Sequence, residues 1–182
     1  MRSVAGGAML LGVVTTVACS GSSDTTAPRL SAPATASFIQ SGVQQRVTGN
    51  MTILLPTFNN ALERYSVSAI RHADGRVTGE LEETSEQEGG QRIHGNIVCF
   101  TIVGNTARLA ARLEQSNVPF GPVGTYVVWT VIDNGQGAHD PPDLTTDLFF
   151  GRSEAVTTTH CNVGYNLAPF YPSLRGNLQV GP

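Results

Sequence analysis

Residues 41–182 are predicted to form one all-β domain, an antiparallel sandwich or small barrel of about seven or eight strands. Three observations predict it. Apolar residues recur with a period of two in short runs from Gln44 onward. Most runs end at a turn dipeptide or a proline. No segment reads clearly as a helix, because the stretch richest in helix formers, Ala107 to Gln115, directly follows a hairpin turn.

Val47, Gly49, Met51, Ile53 and Leu55 alternate with Thr48, Asn50, Thr52 and Leu54 and stop at Pro56, which makes a first strand. A second runs from about Arg64 to His72 and closes at Asp74-Gly75, a dipeptide that supplies the positive φ angles of a tight hairpin turn. The returning strand sets Val77, Gly79 and Leu81 on one face and Arg76, Thr78, Glu80 and Glu82 on the other, one side for the core and one for water. Glu82 to Gly90 reads as a solvated acidic loop. Gln91 to Val103 is apolar on both faces toward its end, with Ile97, Cys99 and Val103 opposite Val98, Phe100 and Ile102, so it is expected to be central and covered on both sides. Gly104-Asn105 turns it into Thr106 to Gln115; Leu109 and Leu113 also stand at helical i, i+4 spacing, but the hairpin context favours strand. Asn117 to Gly124 is a loop rich in proline and glycine, Thr125 to Ile132 is the strongest strand, and Asp133 to Pro142 is again loop. Leu144 to Phe150 and Arg175 to Val180 complete the set, with a long loop from Ser153 to Ser173 that Cys161 would pin down.

Ahead of this domain, residues 1–18 read as an export signal. Arg2 is followed by an uncharged run from Val4 to Ala18, shorter than the roughly 20 residues a helix needs to cross the hydrocarbon core. Val17-Ala18-Cys19-Ser20 places small residues before a cysteine and resembles the lipobox of bacterial lipoproteins, with Thr16 where leucine is usual. The resemblance implies that Cys19 receives a diacylglycerol thioether and becomes the new N-terminus. The other reading is an ordinary secretory signal cleaved near Ala18; on either, the protein leaves the cytoplasm. Residues 19–40, dominated by Ser, Thr, Ala, Pro and Gly, cannot bury enough apolar surface to offset chain entropy and are expected to act as a flexible tether. The expected location is the bacterial cell envelope, lipid-anchored at the outer membrane, with the membrane as a partner through the anchor; without lipidation the chain is secreted.

The formal net charge is −3 and all 11 basic residues are arginines without any basic stripe, which argues against nucleic acid as a partner. With Cys19 taken by lipid, Cys99 and Cys161 remain as a pair in an oxidising compartment, where a disulfide is expected. Two free buried thiols are the competing state.

No catalytic or nucleotide-binding motif is present, and no cofactor is expected. His72, His94, His139 and His160 fall beside predicted turns and strand ends without ligand spacing, as polar edge residues do. His160 beside Cys161 could suggest a metal pair, but a disulfide removes the thiolate. Glu80, Glu82, Glu83, Glu86 and Glu88 are the densest acids; Glu80 and Glu82 share a face of their strand and could do acid and base work in a cleft, with Glu83 facing the other way. The simpler reading of the cluster is a charged edge that discourages sheet-to-sheet aggregation. Asp133, Asn134, Asp140 and Asp143 gather oxygen ligands suited to calcium in a loop stiffened by Pro141-Pro142, although the loop lacks the glutamate of a helix-loop-helix calcium site. Their alternative use is to hydrogen-bond the backbone of a tight turn and of the next strand.

The order His94-Gly95, Cys99, Val103-Gly104-Asn105, then Val131-Ile132-Asp133-Asn134-Gly135 and Pro141-Pro142-Asp143 resembles a group of uncharacterised exported bacterial β-domains over roughly Ala69 to Val180. That resemblance implies an all-β fold and carries no activity. The leading functional expectation is a non-catalytic, tethered envelope domain for binding, adhesion or structure, with an envelope protein or glycan as partner. Two alternatives stand beside it: an envelope hydrolase with a carboxylate or histidine site in a barrel mouth, and a lipocalin-like small-ligand carrier. Intact mass of the mature chain should show a diacylated or triacylated Cys19; an unmodified chain beginning after Ala18 would remove the anchor.

Overall fold

The computed structural model describes residues 45–86, 90–137 and 139–182. Cys19, the leader at 1–18 and the tether at 19–40 lie outside the described residues. Among the described residues the strands are β1 (Gln45–Leu55), β2 (Ala61–Arg71), β3 (Val77–Ser85), β4 (Gln91–Val103), β5 (Thr106–Ser116), β6 (Tyr126–Ile132), β7 (Leu144–Thr146), β8 (Phe149–Arg152), β9 (Phe170–Pro172) and β10 (Arg175–Gly181), with one α-helix, α1 (Glu154–Asn162), and a short 3-10 turn at Pro56–Phe58. They form one antiparallel sheet in the order β10-β1-β2-β3-β4-β5-β6-β7-β9, with β8 also on β6, curled into a half-barrel. The all-β class stands, with 10 strands rather than seven or eight.

The period-two pattern does what it promised. Val47, Met51, Ile53 and Leu55 of β1, Val67 and Ala69 of β2, Leu81 of β3, and Leu109, Ala111 and Leu113 of β5 point into the curl. Phe100 and Trp129 fill its centre. Ala107 to Gln115, the ambiguous stretch, is strand within β5.

Strong curling brings neighbouring backbones closer than a side chain allows. Gly79 adopts φ 146°, and a Cβ there would sit 1.9 Å from the Ser68 carbonyl oxygen of β2. Only glycine suits that position.

Four expectations need correction. The predicted loop from Ser153 to Ser173 contains α1 and β9. The sequence EAVTTTHCN is a poor helix former, so tertiary contacts decide: the Ser153 hydroxyl caps Val156 N–H, and a disulfide joins Cys161 to Cys99 on β4. Second, Leu144 to Phe150 is not one strand, because Asp147 and Leu148 interrupt it and leave β7 and β8 as two short pairings on β6. Third, β4 contains a bulge at Val98, where Ile97 pairs Ala111 and Cys99 pairs Ala110. The extra residue leaves Val98 exposed and sends both Ile97 and Phe100 inward, against the simple alternation. Fourth, β3 continues to Ser85, so the acidic loop begins later than Glu82.

The double cover expected for β4 comes from α1. The helix lies over β4, β5 and β6, and Cys161 packs with Ala110, Val128, Leu167, Cys99 and Phe149 on the outer face. The disulfide closes 62 residues and contributes about 4 kcal/mol on the chain-entropy view.

The curl brings the outer edge of β10 to the loop between β6 and β7, and two carboxylates meet it. Asp143 Oδ2 accepts Leu178 N–H at 2.8 Å and its Oδ1 accepts Asn134 N–H at 2.8 Å. Asp133 Oδ2 accepts Val180 N–H at 2.9 Å and its Oδ1 accepts Gly135 N–H at 2.9 Å. Side-chain oxygens thus do what a neighbouring strand would do. Replacing Asp143 with alanine should cost roughly 3–5 kcal/mol in thermal or denaturant unfolding, since two N–H groups lose a charged acceptor, whereas Asp140→Ala should cost under about 1 kcal/mol.

Candidate functional site

The half-barrel has two ends. Gln45, the turn after Arg71, the Gly104-Asn105 turn and Asp133 lie at one; the turn at residues 56–60, Ser85 and Gln91 where β3 ends and β4 begins, and the loop at 117–125 lie at the other. The second end holds the candidate site. Glu63 on β2 and Glu83 on β3 point into the curl at the register positions that apolar residues hold elsewhere on these strands. Tyr65 stands directly opposite Glu83, and Glu63 is its diagonal neighbour, a separation that long side chains bridge. Asp147 enters from the break between β7 and β8.

These acids line a recess of about 230 Å³ with Phe58, Phe120, Phe149, Phe150 and Arg152 at its walls. A wider hollow of about 580 Å³ adjoins it and shares Phe58, Gln91 and Phe120. Phe120 and Phe150 meet edge to face with ring centres 5.3 Å apart, and the Arg152 guanidinium lies 5.8 Å from the centre of the Phe149 ring.

Burial sets the chemistry of the acids. Glu63 is 2% exposed and Glu83 3%, and Glu63 Oε1 and Glu83 Oε2 have no hydrogen-bond partner. Desolvation, reinforced by Glu83 and Asp147 and opposed by a hydrogen bond from Tyr65, pushes Glu63 up to about 9. Desolvation, then the charge of Asp147, pushes Glu83 up to about 8. Asp147 is raised by burial against the opposing Leu148 N–H bond. Tyr65 is driven well above its ordinary value by burial and the surrounding acids. Near neutral pH both glutamates therefore carry protons, and each keeps one buried oxygen unpartnered among the described residues.

The residues singled out from sequence fall elsewhere. Glu80 and Glu82 are on the outer face, with His94 Nε2 3.8 Å from Glu80 Oε2, beyond hydrogen-bond reach. Glu83, facing the other way, is the acid that reaches the recess. Asp133, Asn134, Asp140 and Asp143 lie at the opposite end: Asp133 and Asp143 bind main-chain N–H groups, Asn134 donates to the Pro142 carbonyl at 2.7 Å, and Asp140 accepts Gly137 N–H at 2.6 Å. Among the described residues no group of three or more His, Cys, Asp or Glu could hold a metal ion.

His160 is not an edge residue. It is fully buried on α1 itself, its Nε2 donates to the Trp129 carbonyl at 2.9 Å, and it stacks on Tyr165. Burial lowers its pKa, the Trp129 contact opposes this, and Arg108 adds to the lowering. His72 bonds Thr78 Oγ1 at 2.8 Å, and His139 is exposed.

Sequence reasoning missed Glu63 and Asp147 altogether. A signal existed for Glu63: extending the alternation of Tyr65, Val67 and Ala69 back one step puts an acid on the core face. Asp147 carried none, since its placement depends on a strand break.

No protein-family model, no curated protein and no solved structure matches the chain.

A carboxyl with a folded value above its unfolded value of 4.5 binds more protons when folded, so its stabilising effect is complete below about pH 4.5 and is lost as pH rises toward 8–9. The unfolding midpoint should therefore fall between pH 5 and pH 9. Glu63→Gln and Glu83→Gln should flatten that slope and raise stability at pH 9 by about 2 kcal/mol or more; parallel curves for all three proteins in pH-dependent calorimetry would contradict the burial of these acids.

Proposed function

We propose that the chain is an exported, lipid-anchored binding domain of the bacterial cell envelope, whose working end is the recess of Glu63, Glu83 and Asp147. One observation carries this reading. Among the described residues two buried carboxyl oxygens stay unpartnered in a recess walled by phenyl rings, an arrangement that costs stability and that a bound ligand would offset. Gln45, where the described chain enters β1, lies at the end of the half-barrel away from the recess.

A carrier that encloses its ligand in the barrel is less well supported, because Trp129, Phe100, Met51 and Leu109 fill the interior. The hydrolase reading has one specific observation in its favour: Glu63 and Glu83 are acids raised to about 9 and about 8, the range of a general acid held protonated at neutral pH.

A thermal-shift screen of small molecules, followed by mass analysis of each hit after prolonged incubation, separates the readings. Binding predicts saturable stabilisation by a compound recovered unchanged, weakened about tenfold in Phe120→Ala through loss of an aromatic wall. Turnover of the compound would replace the binding domain with an enzyme.

A further inference from the structure

We infer that the recess at the Phe58–Phe120 end takes a compact organic ammonium ion, its charged nitrogen against the Glu63, Glu83 and Asp147 carboxyls and its apolar body against the phenyl walls. The inference rests on the binding reading above and names the ligand class.

The lining has an unbalanced composition. Three carboxyls face the recess against a single guanidinium, Arg152, which is itself exposed and placed over Phe149 rather than paired with any of the three acids. Glu63 Oε1 and Glu83 Oε2 are buried acceptors with nothing to accept. An N–H donor brought between them satisfies both, and a positive one also stabilises their ionised forms.

The walls select the kind of cation. Phe58 and Phe120 are large exposed rings at the lip, and Phe149 and Phe150 lie deeper. Ring faces attract ammonium groups, and the recess wall already holds one cation this way, Arg152 on Phe149. A hard metal ion needs six or more oxygen ligands, or retained waters, which phenyl walls do not supply. A carboxylate or phosphate ligand would meet three acids. The volume of about 230 Å³ fits a single small ring bearing an amine.

Proton release is a built-in signature. Glu63, Glu83 and Asp147 all have raised values, Tyr65 stays neutral, and Arg152 is the only other charged group in the lining among the described residues. Entry of a cation favours the ionised carboxylates, so about one proton should leave per ammonium bound near pH 7.

The test uses calorimetric titration of the mature domain with benzylammonium, benzyl alcohol and benzoate, which share a ring and differ in charge. Benzylammonium should bind at least about tenfold more tightly than benzyl alcohol, benzoate should not bind, and the heat should vary with the ionisation enthalpy of the buffer. Glu63→Gln and Glu83→Gln should each weaken benzylammonium about tenfold or more while leaving benzyl alcohol within about twofold. Neither variant should fail to fold, since each replaces a buried carboxyl with a neutral amide of the same shape, and their unfolding curves check this. Equal affinity for benzyl alcohol and benzylammonium, or unchanged benzylammonium binding in both variants, overturns the cation assignment and leaves a binding recess. No binding by any probe overturns the recess as a ligand site.

Discussion

The fold depends on how the outer edge of β10 is satisfied. A curled sheet that does not close by strand pairing leaves N–H groups exposed along its last strand, and such an edge invites pairing with another chain. Here Asp143, 4% exposed, and Asp133 accept Leu178 and Val180 from the loop between β6 and β7. Asp133 is itself held by Asn105, whose side chain donates to the Asp133 carbonyl and whose own carbonyl accepts Asp133 N–H. Ser173 N–H donates to the Asp143 carbonyl, and Leu174 N–H donates to Thr52 on β1, so the corner from β9 into β10 is tied on both sides. These bonds hold the far side of the sheet to its first strand and thereby fix where β7 begins.

From that start β7 runs only as far as Thr146 before the chain breaks at Asp147. The break is compensated on the outer face. It leaves the Trp129 carbonyl to His160 and Thr130 N–H to the Thr146 hydroxyl, and α1, bound to β4 through Cys99–Cys161, covers the gap. A helix of threonines with little propensity of its own persists because a cap, a disulfide and a buried histidine each attach it to the sheet.

On the inner face the same break admits an acid beside two others. Most of the half-barrel core is apolar and well filled; at one end Glu63 and Glu83 take core positions with oxygens unsatisfied. Local consistency between pattern and environment fails there and almost nowhere else on the inner face, and departures of that kind concentrate where proteins act. Stability at alkaline pH is the corresponding cost.

The all-β class, most strand positions and the hairpin at Asp74-Gly75, where Gly75 alone takes a positive φ, were legible in the sequence, and Cys99 with Cys161 was the expected pair once Cys19 was set aside for lipid. Period-two burial and turn chemistry are local facts, and the alternation even placed Glu83 on the face opposite Glu80 and Glu82. What only the tertiary structure decided is where those faces lead. A β-face is core or solvent according to what packs on it, so Glu83 could be read as one more acid of a solvated edge until the curl enclosed it with Glu63. Asp133 and Asp143 could be cation ligands or strand-edge acceptors, and only the arrival of β10, more than thirty positions later in the chain, gives their oxygens main-chain donors. Asp147 reaches the recess through a strand break that no local pattern marks, because the pairing that ends there is set by β6 and β9. Long-range pairing carries the information that short-range periodicity lacks.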